Sequence, residues 1–109
     1  MAKTDVEMSR CLALAPKVRK RLLPKGRILS ATRKLKLFSN PIRLQILSIL
    51  SGGDTCVCVM SSVLGKGQPT ISQHLSILRQ GGLIECYSVG KLVFYRLCDR
   101  GIRDFLRDL

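Results

Sequence analysis

The chain has 109 residues, a length for one domain with a modest core, and 46% of them are apolar, which is ample for folding. Nineteen Lys and Arg against seven Asp and Glu give a formal charge of +12 and a pI near 10.2, an imbalance that points to a polyanionic partner, nucleic acid before an anionic membrane surface. No apolar run approaches the roughly 20 residues that span a bilayer, and residues 1–27 lack the apolar centre of a secretory signal, so a membrane span is excluded and a cytoplasmic location is expected.

Residues 1–27 carry Cys11 and then a basic run, Lys17, Arg19, Lys20, Arg21, Lys25 and Arg27, punctuated by Pro16 and Pro24. A short helix near residues 4–15 followed by an irregular link is expected there, with the run as a solvated arm. From Arg27 to Phe38, the apolar Ile28, Ala31, Leu35 and Phe38 recur at helical spacing, with Arg33, Lys34 and Lys36 outside. Ser39-Asn40-Pro41 is a strong helix start, a capping side chain followed by proline at the first helical position. It opens a core helix with Ile42, Ile46, Ile49 and Leu50 in one stripe, ended by Gly52-Gly53. Asp54 is suited to cap the next helix, about Thr55 to Leu64, with Val59, Met60, Val63 and Leu64 facing inward.

Gly65-Lys66-Gly67 reads as a turn into QPTISQHLSILRQ, Gln68 to Gln80. On a helix, Ile71, Leu75 and Leu78 of this stretch fall within about 60° of one another, while Ser72, Gln73, Ser76 and Gln80 lie opposite. Pro69 fits the first turn and Gly81-Gly82 supplies the stop. An exposed side of Ser and Gln rather than Glu and Lys suits a DNA major groove, where amides and hydroxyls pair with base edges and phosphates. Two short helices joined by a glycine turn match a helix-turn-helix, the second helix entering the groove. His74, the one histidine, lies about 60° from the core stripe and reads as a packed or DNA-adjacent side chain rather than a metal ligand.

Beyond Gly82 the period changes. Leu83, Ile84, Tyr87 and Val89, then Val93, Phe94, Tyr95 and Leu97 after Gly90-Lys91, predict a β-hairpin, the wing of a winged helix, with Lys91 at its tip in reach of a phosphate. Ile102, Phe105, Leu106 and Leu109 form a stripe on a last helix beginning near Asp99, expected to pack on a second subunit rather than on its own core. The expected fold is mainly α with a β-hairpin wing, a dimeric winged helix-turn-helix. Residues 1–27 form its basic arm, and residues 28–109 its DNA-binding and dimerisation domain.

Five cysteines, Cys11, Cys56, Cys58, Cys86 and Cys98, in a chain without an export signal are expected to be thiols, free for packing, metal ligation or redox chemistry. No phosphate-binding glycine loop and no paired carboxylates near a histidine occur, so an enzyme is not expected.

The segments SNPIRLQIL, VLGKGQPTISQHLSILRQGGLIE and GKLVFYRL, in this order and spacing, resemble the ArsR/SmtB family of metal- and metalloid-sensing repressors over about residues 28–109. The resemblance implies a homodimer on a two-fold double-stranded operator, released when an inducer binds, with no organic cofactor or small organic substrate. The family's reading helix usually begins Gln-Ser. Here it begins Gln68-Pro69, which removes one hydroxyl but leaves Gln68, Thr70, Ser72, Gln73 and Ser76 as readers, with Lys66 and Lys91 for phosphates. Cys56-Val57-Cys58 matches the family's thiolate motif. In a regular helix two such residues point about 200° apart, but at a frayed helix start Cys56 can turn out of helical geometry. Capture of a soft ion there is expected to distort the first turn under the reading helix. A third cysteine found in related sensors is Ser61 here, so the resemblance makes Cys11, on the N-terminal arm, the third ligand, with Cys98 and Cys86 as weaker choices. The family's zinc site on the last helix keeps only Asp99, with Gly101 at the next ligand position, and is not expected. Sulfur ligands favour As(III), Sb(III), Cd(II) or Pb(II) over Zn(II). Two alternatives remain open: a thiol redox or persulfide sensor on the same fold, and a non-sensing winged-helix module for nucleic acid or protein.

Overall fold

A computed structural model describes residues 2–109 of the chain. It divides into two compact units, one ending at Ala31 and one spanning Thr32–Leu109.

The first unit contains α1 (Ala2–Leu12), α2 (Ala15–Arg19) and the beginning of α3 (Lys25–Phe38). The stretch expected to be an irregular link holds a helical turn instead, because Pro16 sits in the first turn of α2, where a missing N–H has no cost. None of the side chains from Asp5 to Ala31 is buried, and Val6, Met8, Leu12, Leu14, Leu22, Ile28 and Leu29 are all exposed.

The second unit is the winged helix-turn-helix. The sequence-predicted start of α4 (Pro41–Ser51) is realised in full: the Asn40 side chain accepts from the backbone N–H of Ile42 at 2.9 Å and of Arg43 at 3.1 Å, and Pro41 opens the helix. Ile46, Leu47 and Leu50 are its buried residues, and Ile42 and Ile49 pack beside them.

The next segment departs from expectation. Thr55 and Cys56 form a two-residue strand β1, and α5 (Val57–Leu64) begins only after it. Asp54 does not cap α5. Cys56 occupies the cap position with extended backbone (φ −109°, ψ 168°) and no side-chain capping bond, while the Asp54 carboxylate accepts from the Tyr87 hydroxyl at 2.7 Å. The inward face also differs. Met60 is buried, Val57 and Leu64 pack beside it, and Val59 and Val63 stay 46% and 67% exposed. Val57, Met60 and Leu64, spaced i, i+3 and i+7, share the side of α5 that meets the core.

Gly65 ends α5 in the left-handed region (φ 64°) that an unbranched backbone adopts cheaply, and the turn leads into α6 (Gln68–Gln80). Ile71, Leu75 and Leu78 are fully buried, as the periodicity requires. Then β2 (Ile84–Val89) and β3 (Leu92–Leu97) form the hairpin about Gly90 (φ 60°). The sheet order is β1-β3-β2, all antiparallel, with Cys56 opposite Phe94 and Phe94 opposite Tyr87.

Last, α7 (Arg100–Arg107) is capped by Asp99, whose carboxylate accepts from Gly101 N–H at 2.9 Å and meets Lys34 Nζ at 2.5 Å. That Lys34 contact, then the backbone bond, holds the Asp99 carboxyl below its ordinary range. The stripe on α7 divides. Ile102 is buried in the chain's own core and Leu106 packs against it, while Phe105, 5.1 Å from the Phe38 ring, and Leu109 remain exposed.

Candidate nucleic-acid interface and thiol site

The outward side of α6 is set by its inward side. With Ile71, Leu75 and Leu78 fixed in the core, Thr70, Ser72, Gln73 and Ser76 are all exposed. Arg79 stands exposed on the same side, seven residues after Ser72 and three after Ser76, and with Ser76 and Gln80 it borders a shallow concavity of about 240 Å³. That spacing was present in the sequence, and Arg79 adds a cation to a surface otherwise read as hydroxyls and amides.

The turn before α6 is built by Ser61. Its hydroxyl donates to the Lys66 carbonyl, and its own carbonyl accepts from Lys66 N–H at 3.2 Å. The residue standing where related sensors carry a third cysteine is therefore engaged in shaping the turn, and the Lys66 side chain is left exposed. Lys91 is exposed at the hairpin tip.

The two cysteines of the Cys56-Val57-Cys58 motif lie at the junction of β1 and α5. Cys56 has left helical geometry and is half-buried; Cys58 is helical and exposed. Gln68, the first residue of α6, donates from Nε2 to the Cys58 sulfur at 3.4 Å. Nothing local in the sequence signals this bond between residues ten apart.

The other thiols separate by position. Cys11 lies exposed on α1 in the first unit. Cys86 pairs in register with Tyr95, which packs on the core, so it occupies the sheet face opposite to that of Cys56. Cys98 is exposed, and desolvation followed by the Glu85 charge pushes its thiol up, away from the thiolate form. Among the described residues no three His, Cys, Asp or Glu side chains gather as a metal cluster.

His74 is half-buried, and its Nδ1 is the one buried side-chain nitrogen or oxygen among the described residues with no hydrogen-bond partner. Burial first, and the Arg43 cation second, lower its pKa from the ordinary value of 6.5. The unfolded chain therefore takes up this proton before the folded one does, and stability falls as pH drops below about 6.5. Urea midpoints followed from about pH 7.5 to about pH 5.5 are expected to decline in the parent chain and to decline less in His74→Gln.

The family described as "Bacterial regulatory protein, arsR family" matches residues 40–85, from the cap of α4 to the start of β2. An uncharacterized HTH-type transcriptional regulator of Methanocaldococcus jannaschii is 37% identical over 78 residues, 71% of this chain and 88% of that protein. The arsenical resistance operon repressor of Escherichia coli K12 is 43% identical over 63 residues, 57% of this chain and 54% of the repressor, so the chain spans about half the length of that relative. Among solved structures, reduced HlyU from Vibrio cholerae superposes with a TM-score of 0.74 at 33% identity, covering 78% of this chain and 90% of that one. The chain thus belongs to the ArsR family, as a winged helix-turn-helix transcriptional regulator that binds DNA.

Proposed function

We propose that the chain is a cytoplasmic, non-enzymatic repressor that holds a two-fold operator as a homodimer and leaves it when As(III), Sb(III), Cd(II) or Pb(II) binds Cys56 and Cys58, with Cys11 completing the set. Residues 1–27 act as a basic arm and residues 28–109 read DNA and dimerise. The observation that carries this reading is the bond from Gln68 to the Cys58 sulfur. It joins the motif thiol to the first residue of the reading helix without an intermediary.

The donor set fits a soft ion. Cys56 is free of capping duty and has already turned out of the helix, so two thiols two residues apart are not forced to opposite sides. A bound ion supplies sulfur bonds that use the lone pairs Cys58 otherwise offers to Gln68. The Gln68 amide then loses its acceptor, and the first turn of α5, on which α6 packs, is pulled toward Cys56. Both changes act on Gln68, Thr70, Ser72, Gln73 and Ser76, with Lys66, Lys91 and Arg79 as phosphate partners. A second copy of the chain would cover the exposed apolar residues of α1 and α3, Phe105 of α7 and Leu109 just beyond it. The names of two relatives, an arsenical resistance operon repressor and a homolog of a cadmium resistance transcriptional regulatory protein, favour the same inducers.

The test is fluorescence anisotropy of the reduced protein on a duplex from upstream of its own gene, with and without As(III) or Cd(II), against a scrambled duplex. Selective binding weakened by about 5- to 150-fold on adding ion is expected, the usual range of coupling between sites. The ion-free affinity is expected to fall by about 10³- to 10⁵-fold between about 50 and 200 mM salt if six to ten phosphates are met. Release by peroxide without ion would assign the thiols a redox role, and equal binding to both duplexes would reduce the chain to a non-sensing module.

A further inference from the structure

We propose that Tyr87 is a positioning residue for the wing, and that through it the state of Cys56 reaches the wing's contact with duplex DNA as well as the reading helix. The second half of this proposal rests on the sensing function above.

The strand β1 is held to the wing by only two register pairs, Thr55 with Tyr95 and Cys56 with Phe94. A strand of that length is a weak anchor. Tyr87 reinforces it from the far edge of the sheet. Cys56, Phe94 and Tyr87 occupy one row across β1, β3 and β2, and residues directly opposite in register share a face. Tyr87 stacks on Phe94 with ring centroids 5.8 Å apart and planes 19° apart. Its hydroxyl crosses to Asp54, two residues before Cys56, at 2.7 Å. The ring is covered by the Arg96 guanidinium, 5.2 Å from its centroid, and Arg96 is itself fixed by Glu85 at 2.5 Å. The Asp54 carboxylate, next to the phenol, raises the Tyr87 pKa further, so the hydroxyl stays a donor throughout the physiological range.

The consequence is geometric. Asp54 and Cys56 bracket the entry to α5, and both are tied to the same wing aromatics, one by a hydrogen bond and one by strand pairing. A shift of Cys56 shifts Phe94, and the Tyr87 bond passes that shift to β2 and to the hairpin tip that carries Lys91. Without the bond, the two register pairs of β1 are the strand pairing that still ties the wing to the entry of α5.

The test is a double-mutant cycle on operator affinity without ion, combining Tyr87→Phe, which keeps the stacked ring and removes the hydroxyl, with Lys91→Ala. In the parent chain Lys91→Ala is expected to weaken binding roughly fivefold, and in Tyr87→Phe by less than about twofold, because the tip is no longer held at the duplex. Asp54→Ala should behave as Tyr87→Phe does, and Asp54→Asn, which keeps an acceptor, should restore the parent pattern. Equal losses in both backgrounds, or no loss from Lys91→Ala in the parent chain, overturn the positioning role. A second arm measures DNA release by Cd(II) beside direct Cd(II) binding, read from thiolate absorption. Tyr87→Phe is expected to bind the ion as the parent does and to show a release several-fold smaller. Unchanged release overturns the link to Cys56. A parent chain that does not respond to ions refutes both the sensing function and the Cys56 link, while the ion-free cycle still decides the wing.

Discussion

Cys58→Ser is expected to bind operator DNA with near-parent affinity and to lose its response to As(III) or Cd(II) entirely. The serine hydroxyl is small, sits at the same exposed position in the first turn of α5, and still offers Gln68 an acceptor where the sulfur stands 3.4 Å away. What it lacks is a soft, ionisable donor, and thiophilic ions discriminate strongly against a hydroxyl. The whole coupling of about 1 to 3 kcal/mol should therefore vanish while ion-free affinity stays within about threefold. Anisotropy titrations with and without ion measure both quantities on one sample. A variant that still releases DNA normally would remove Cys58 from the site. Cys58→Ala is the informative companion: it also takes away the acceptor of Gln68, so a loss of ion-free affinity there, absent in Cys58→Ser, isolates the contribution of that contact.

Leu75→Ala is expected to have the largest effect on stability. Leu75 is fully buried among Ile46, Leu47, Leu50, Met60, Ile71 and Leu78. Truncating such a side chain costs about 2 to 5 kcal/mol, from lost transfer free energy and the cavity left behind. Domains of this size have only about 5 to 15 kcal/mol in total. The urea midpoint should fall sharply. Ser76→Ala, at the next residue along α6, is the contrast. It is exposed and should leave the urea midpoint almost unchanged, while weakening operator binding by the roughly 1 kcal/mol of a lost hydrogen bond. Two neighbouring positions on one helix thereby separate folding from reading.

The parts of this fold that were legible from sequence are those in which a local pattern determines the outcome. In α6, Ile71, Leu75 and Leu78 are the only large apolar residues on one side, so periodicity alone orients the helix and exposes Ser72, Gln73 and Ser76. Asn40-Pro41 similarly combines a cap with a fixed backbone angle, and Gly90 marks the one place where the hairpin can turn. In α5 the sequence VCVMSSVL offers apolar residues on every side, so no period selects a face. There packing against the core selected Val57, Met60 and Leu64. Asp54 has the composition of a cap, yet Tyr87, 33 residues on, competes for its carboxylate and wins. The bond between Gln68 and Cys58 and the row of Cys56, Phe94 and Tyr87 arise from pairing across the chain, which no local window contains. The motif cysteines could be picked out in advance; their connections to the reading helix and the wing could not.

Because β1 is two residues long, its response is fast. Each ladder bond contributes a net of only about 0.5 to 1.5 kcal/mol, so the entry to α5 opens locally while the core of Ile46, Leu50 and Leu75 stays closed. Local openings of this kind fall on the scale of roughly microseconds to seconds. Under the proposed sensing function, an ion arriving at Cys56 and Cys58 therefore meets an entry that can open without the core, and its capture does not wait on unfolding of the domain.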